Sequence, residues 1–225
     1  MTRTQTQAFQ ETVARHGHRT ALCHKQGGEW KSITYSEYGK SVRALACGMV
    51  ELGAAFGARI VLLRANRPEW VIADQGILMV GAATVPVYST LTPKQSAYMV
   101  NDCGAKLLIV GTELMPTVDQ VRDRFTSVER VVAITPEGGA GDEYEAWLAD
   151  SQPMERPADT QPDDVARVMY SSGNTGRPTG VMLTHANMLA HTRNAQEGWA
   201  FVAGDKNMVS MPLFHVGGSS YVMFG

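Results

Sequence analysis

The sequence predicts an α/β fold of mostly parallel sheets flanked by helices. Helical and strand patterns alternate along the chain, the order that builds a parallel sheet with helical crossovers. The strand segments, such as ARIVLL (58–63) and KLLIV (106–110), are apolar throughout, as strands covered on both faces are. Composition agrees: 225 residues, 44% hydrophobic and 19% charged, suit one large domain or two small ones and argue against intrinsic disorder.

The residues through Gly17 read as a short helix with a polar face. ALCHK and EWKSIT then flank Gln26-Gly27-Gly28, the pattern of a β-hairpin with a glycine turn. Thr34 and Glu37 form a capping box, each side chain satisfying an orphan backbone N–H. The helix that follows carries one apolar stripe, Tyr38, Val42, Leu45, Met49 and Leu52, and Gly53 suits its C-terminal cap. ARIVLL is a strand. Pro68 fits the first turn of the next helix, which the pattern carries to about Ala82. TVPVY is a strand in which Pro86 marks an edge or an end. Thr92 and Gln95 cap a helix ending at Gly104, and KLLIV follows as a strand. Residues 113–124 read as a helix, RVVAIT (130–135) as a strand and 143–149 as a helix. DSQPMERPADTQPDD (150–164), with three prolines and five carboxylates, is a loop or a subdomain boundary.

Several function classes fall away. A net charge of −2 is no polybasic nucleic-acid footprint. Cys23, Cys47 and Cys103 lie far apart without zinc-ligand spacing, and fit reduced structural thiols in a cytoplasmic protein. The stretch Ile77 to Tyr88 is the most apolar, yet it falls short of the ~20 residues of a membrane span. Peripheral membrane contact stays open. Arg64 and Arg67 read as surface or loop-fixing residues, and His185 and His191 as structural.

The chemistry is concentrated in Ser171-Ser172-Gly173-Asn174-Thr175-Gly176-Arg177-Pro178-Thr179-Gly180, between the strands VARVMY and VMLTH; a helix from about Ala186 to Ala200 follows. Glycines let successive N–H groups converge on an anion, and hydroxyls add donors without bulk. The Arg177 guanidinium supplies positive charge, so a polyphosphate is the natural target. A plain glycine-rich hairpin would use the same residues. The segment lacks GK[ST] and leads into a strand, so it is not the phosphate loop of a Walker-type NTPase.

YSSGNTGRPTGVMLTHANM resembles the phosphate-binding signature of the adenylate-forming acyl-CoA ligase family, usually written YSSGTTGxPKGVxLTH. MPLFHVGGS (211–219) resembles that family's next motif. NRPEW, VPVYSTLTP and CGAKLLIV resemble phrases of its long-chain fatty acid–CoA ligases. The resemblance implies the N-terminal portion of an adenylate-forming fold. It also implies ATP, Mg2+ and coenzyme A as cofactors, and a fatty acid or other carboxylic acid as substrate. Ser171, Ser172, Gly173, Asn174, Thr175, Gly176, Arg177 and Thr179 would bind nucleotide; Phe214, His215, Gly217 and Gly218 would line the acyl side. His215 could equally be satisfied within its own loop.

Two positions depart from the signature. Asn174 stands where Ser or Thr is usual and still offers an amide donor. Thr179 stands where Lys is usual and cannot replace a cation. Family members are more than twice as long as this chain. Their adenine-binding motif, their ribose-holding Asp and the C-terminal domain with its catalytic Lys have no counterpart here. The expectation is an N-terminal fragment, inactive alone. Its first subdomain would span residues 1–160, and an incomplete ATP-binding subdomain 161–225. The alternatives are a non-catalytic remnant that binds phosphate or a partner, and an unrelated NTPase.

Overall fold

A computed structural model describes residues 3–135, 149, 152–171 and 177–224. Its elements are α1 (Gln5–His16), β1 (Thr20–Gln26), β2 (Glu29–Thr34), α2 (Tyr35–Glu51), β3 (Arg59–Leu63), α3 (Pro68–Met79), β4 (Ala83–Pro86), α4 (Pro93–Asp102), β5 (Leu107–Gly111), α5 (Met115–Asp119), β6 (Arg130–Ile134), β7 (Val165–Ser171), β8 (Thr179–Thr184), α6 (His185–Trp199) and α7 (Val216–Phe224). β1 and β2 form a separate antiparallel hairpin, turning at Gly27 and Gly28, both at positive φ. The other six strands make one sheet in the order β6-β5-β3-β4-β7-β8. All its neighbours are parallel except β7 and β8, which run antiparallel.

Alternation along β3 explains the layers. Ile60 and Leu62 pack with α2 and α3, through Leu45, Met49, Trp70 and Ile77. Val61 and Leu63 face the other way, toward Met99 and Val100 of α4 and Val118 of α5. A sheet apolar on both faces therefore lies between two helical layers. The capping boxes at Thr34 and Thr92 form as their sequences require, and the same device caps α1 at Thr4 and α6 at Thr184.

Three expectations need correction. α3 stops at Met79, short of Ala82, because Gly81 turns the chain at φ 79. Pro86, by contrast, is the strand end that the sequence offers: it closes β4, an interior strand, and Val87 N–H resumes the bonding at Leu62 O. The helix predicted over 113–124 is broken: Pro116, lacking an N–H, restarts it at α5 after a single 3-10 turn, and a second such turn spans Arg122–Arg124. Arg64 is wholly buried, donating to Ile134 O at 2.7 Å and lying 3.4 Å from Glu69. It fixes a loop from inside. The helix predicted over 143–149 falls outside the described residues, except for its last position. The proline-rich stretch is fastened to the helical layer, with Met154 N–H donating to Arg43 O and Ala158 N–H to Met79 O.

Candidate functional site

The parallel strands end on one side of the sheet, where ligands of open α/β sheets usually sit. The turn after β3 is braced there. Arg64 and Arg67 both lie within ion-pair distance of Glu69, and between them Asn66 projects its amide across the fold. Its Nδ2 donates to Met211 O at 2.8 Å, and its Oδ1 accepts from Leu213 N–H at 2.7 Å. This two-point grip holds the segment leading to Phe214 and His215.

β4 runs out into Tyr88, which touches both motif segments. Its hydroxyl donates to Tyr170 O at 3.2 Å, next to Ser171. Its ring lies 5.0 Å from the Phe214 ring and 6.4 Å from the His215 ring. Tyr170 is held in turn on the α4 side, donating to Asp102 Oδ2 at 2.6 Å. Burial, and then that hydrogen bond, pushes the Tyr170 phenol well above its ordinary range, so it stays a donor.

Ser171 and Thr179 face each other as ladder partners at the hairpin's end, and both are exposed. Arg177 is exposed and, among the described residues, makes no ion pair. Two hydroxyls and a guanidinium at one accessible rim suit phosphate oxygens. Ser172, Gly173, Asn174, Thr175 and Gly176 lie outside the described residues. Among the described residues, no group of three His, Cys, Asp or Glu side chains could hold a metal ion.

His215 is exposed, and its Nδ1 accepts from Gly217 N–H at 3.2 Å. In a neutral imidazole that bond leaves the proton on Nε2, which can donate to a carboxylate oxygen. Gly217 is half-buried against Met211. Gly218 has a packing reason of its own: a methyl there would overlap the Met211 and Pro212 carbonyl oxygens, so only glycine lets α7 start this close.

A cleft of about 360 Å³ opens between α4 and the β7–β8 hairpin, lined by Arg59, Tyr98, Asp102, Cys103 and Thr179 among others. Among its lining residues Arg59, Tyr98, Tyr170 and Asp102 are already engaged. Tyr98 donates to Pro178 O, Arg59 to Cys103 O and Tyr170 to Asp102. Burial pushes the Cys103 thiol up to about 11, which makes it unreactive. This cleft braces the hairpin.

Asn66 and Tyr88 were missed as site residues in the sequence. Asn66 stands there only within the phrase NRPEW and Tyr88 at the end of the TVPVY strand; their partners are 147 and 82 positions away.

A family model described as AMP-binding enzyme matches residues 9–225. The long-chain-fatty-acid–CoA ligase FadD15 of Mycobacterium bovis is 34% identical over 196 residues, covering 84% of this chain and 33% of that protein. 4-Coumarate–CoA ligase 3 of Oryza sativa subsp. japonica is 33% identical over 211 residues, covering 91% of this chain and 37% of that protein. The crystal structure of a long-chain-fatty-acid-CoA ligase (FadD1) from Archaeoglobus fulgidus superposes with a TM-score of 0.89 at 22% identity, over 99% of this chain and 44% of that one. That likeness is one of fold. The chain spans about a third of the length of the curated relatives it matches. With sequence and fold matching along nearly its whole length, the chain belongs to the AMP-binding enzyme family.

Proposed function

We propose that this chain supplies the phosphate- and carboxylate-facing part of an AMP-forming acyl-CoA ligase, with fatty acids as its substrate class. The observation that carries the reading is Tyr88, whose hydroxyl bonds the strand end at Tyr170 while its ring packs on Phe214. Polyphosphate and acyl carboxylate would then meet on either side of one side chain. FadD15, long-chain acyl-CoA synthetase 6 of Arabidopsis thaliana and their like support the fatty acid class.

In the proposed reaction a carboxylate oxygen attacks the α-phosphorus of ATP. An O–P bond forms, the α–β phosphoanhydride breaks, and pyrophosphate leaves. The thiol of coenzyme A then loses its proton and attacks the acyl carbon, forming the thioester as the C–O bond breaks and AMP departs. A carboxylate becomes a good acyl donor only once its oxygen belongs to such a leaving group. Catalysis of this kind rests on positioning and charge neutralisation. Ser171, Arg177 and Thr179, together with Ser172, Gly173, Asn174, Thr175 and Gly176, would cradle the β- and γ-phosphates. His215 Nε2–H would orient the incoming carboxylate, with Phe214, Gly217 and Gly218 around it. Mg2+ would neutralise charge on the polyphosphate, bound to the phosphate oxygens, since no group of three His, Cys, Asp or Glu among the described residues would hold it. The division into a first subdomain at 1–160 and an incomplete ATP-binding subdomain at 161–225 is part of the same proposal, with β7 and β8 of the second joining the sheet of the first.

Thr179 favours a second reading, a phosphate-binding module without catalysis, because it puts a hydroxyl where the family signature carries a cation. Fatty acid-dependent ATP–pyrophosphate exchange separates the two in a chain that includes the remaining length of a family member. Exchange supports the ligase. Nucleotide binding without exchange supports the module. For the 225 residues alone the expected exchange is nil, and a clear signal from pure protein would refute that.

A further inference from the structure

We propose that Arg167 and Asp74 are positioning residues, a buried clamp at a β-bulge that sets the register of β7 and so the place of Ser171 and Thr179. The inference rests on reading that hairpin end as a phosphate cradle. Between the pairs Val165↔Thr184 and Arg167↔Leu183 the register slips, so that β7 has one extra residue. A bulge re-aims side chains that would otherwise alternate. Here Ala166 packs with Leu78 of α3, and Arg167 Nη2 donates to Asp74 Oδ2 of the same helix at 2.6 Å. Both charged side chains are buried, with 1% and 2% of their surface exposed. The guanidinium lies 5.9 Å from the Trp70 ring, one helical turn from Asp74.

Net stability does not account for this pair. Two apolar side chains of the same volume would serve a core as well or better, because both charges must be stripped of water. Arg167 Nε and Nη1, Asp74 Oδ1, Trp70 Nε1 and Thr84 Oγ1 are also buried without a hydrogen-bond partner. What a charge pair supplies, and an apolar pair does not, is a single permitted alignment. Slipping β7 by one residue would turn Arg167 to the other face and leave Asp74 alone in the interior. The alignment matters at this point of the strand. β7 meets the parallel sheet at one ladder pair, Thr84↔Arg167, so strand pairing, bulge and ion pair coincide at one residue. Ser171 stands four residues further on, roughly 13 Å along the strand at ~3.3 Å per residue.

The test is residue-resolved amide hydrogen exchange on the 225-residue chain, comparing wild type with Asp74→Leu/Arg167→Met. The expected result is an unchanged or raised urea midpoint with exchange about tenfold faster in β7 and β8, Ser171 and Thr179 included, while β3 and β5 stay unchanged. Asp74→Asn, which keeps size and hydrogen-bonding capacity, serves as a second variant should the double one not fold, and the same local pattern is expected. Unchanged exchange at Ser171 and Thr179 overturns the proposal, because the pair then only fills the core. A uniform acceleration across all strands overturns it too, because the effect is then global. ATP titration of wild type, run alongside, tests the phosphate reading separately: absent binding removes that reading while the exchange pattern still decides the clamp.

Discussion

Helices α3 and α6 both pack on strands of one sheet, yet they live in different surroundings. Every residue of α3 except Glu69 is buried, whereas in α6 only His185 and Met188 are. The difference follows from the sheet. α3 is enclosed by α2, by the parallel strands and by the fastened stretch at 152–164. α6 covers the antiparallel end, where Val181, Met182, Trp199, Val202, Met208, Met211 and Val216 are all exposed. Most of the buried apolar side chains therefore lie in residues 35–134, and the candidate site residues stand at the border between the enclosed and the open region.

The sharpest way to break this comparison is a pair of tryptophans. Trp70→Ala should cost about 3–5 kcal/mol in urea unfolding, the range for an aromatic removed from a closed core. Trp199, half exposed and stacked on Tyr221 at 5.0 Å, should cost about 1 kcal/mol when changed to Ala. Equal losses would mean that the open region is as well packed as the closed one.

At the border itself, Thr179→Lys should strengthen ATP binding about ten- to a hundredfold, worth ~1.5–3 kcal/mol for a charge-assisted contact to phosphate. Unchanged affinity in calorimetry would show that position 179 does not reach the nucleotide. Gly218→Ala should destabilise the chain by about 1–3 kcal/mol, because the new methyl meets fixed carbonyl oxygens rather than a flexible side chain. A neutral result in urea unfolding would place α7 farther from Met211 and Pro212.

The smallest expected effect depends on pH. Burial holds the His185 imidazole below its usual pKa, against the pull of Asp164 and Asp74. The unfolded chain therefore takes up the proton first as pH falls through about 6.5, and stability drops until the folded form is protonated as well. Comparing urea midpoints at pH 7 and pH 5.5, His185→Asn should lose less on acidification than wild type. An identical loss would assign the acid sensitivity to other groups.

The elements were legible where one local device decides them. The Thr34 and Thr92 capping boxes, the stripe from Tyr38 to Leu52, the glycine hairpin and the wholly apolar strands all read correctly because each depends on neighbours within a few residues. The misreadings arise where distant contacts or one backbone turn decide. Arg64 is buried because Ile134 O and Glu69 come to it, and α3 ends early because Gly81 turns. The segment Ser171 to Gly180 stands out by residue types alone, whereas Phe214 to Gly218 stands out only through the family resemblance. The link between them could not be read, since Tyr88 and Asn66 act through partners distant in sequence.

The central claim is that the β7–β8 hairpin end and the Phe214–Gly217 segment form one site around Tyr88. Backbone amide NMR during ATP titration, with wild type and Thr179→Lys, tests it most directly. The account predicts saturable shifts at Ser171, Arg177 and residue 179, reaching Tyr88 and the Phe214–Gly217 segment and growing tighter in the Lys variant. Shifts confined elsewhere, or no binding by either protein at millimolar ATP, would contradict it.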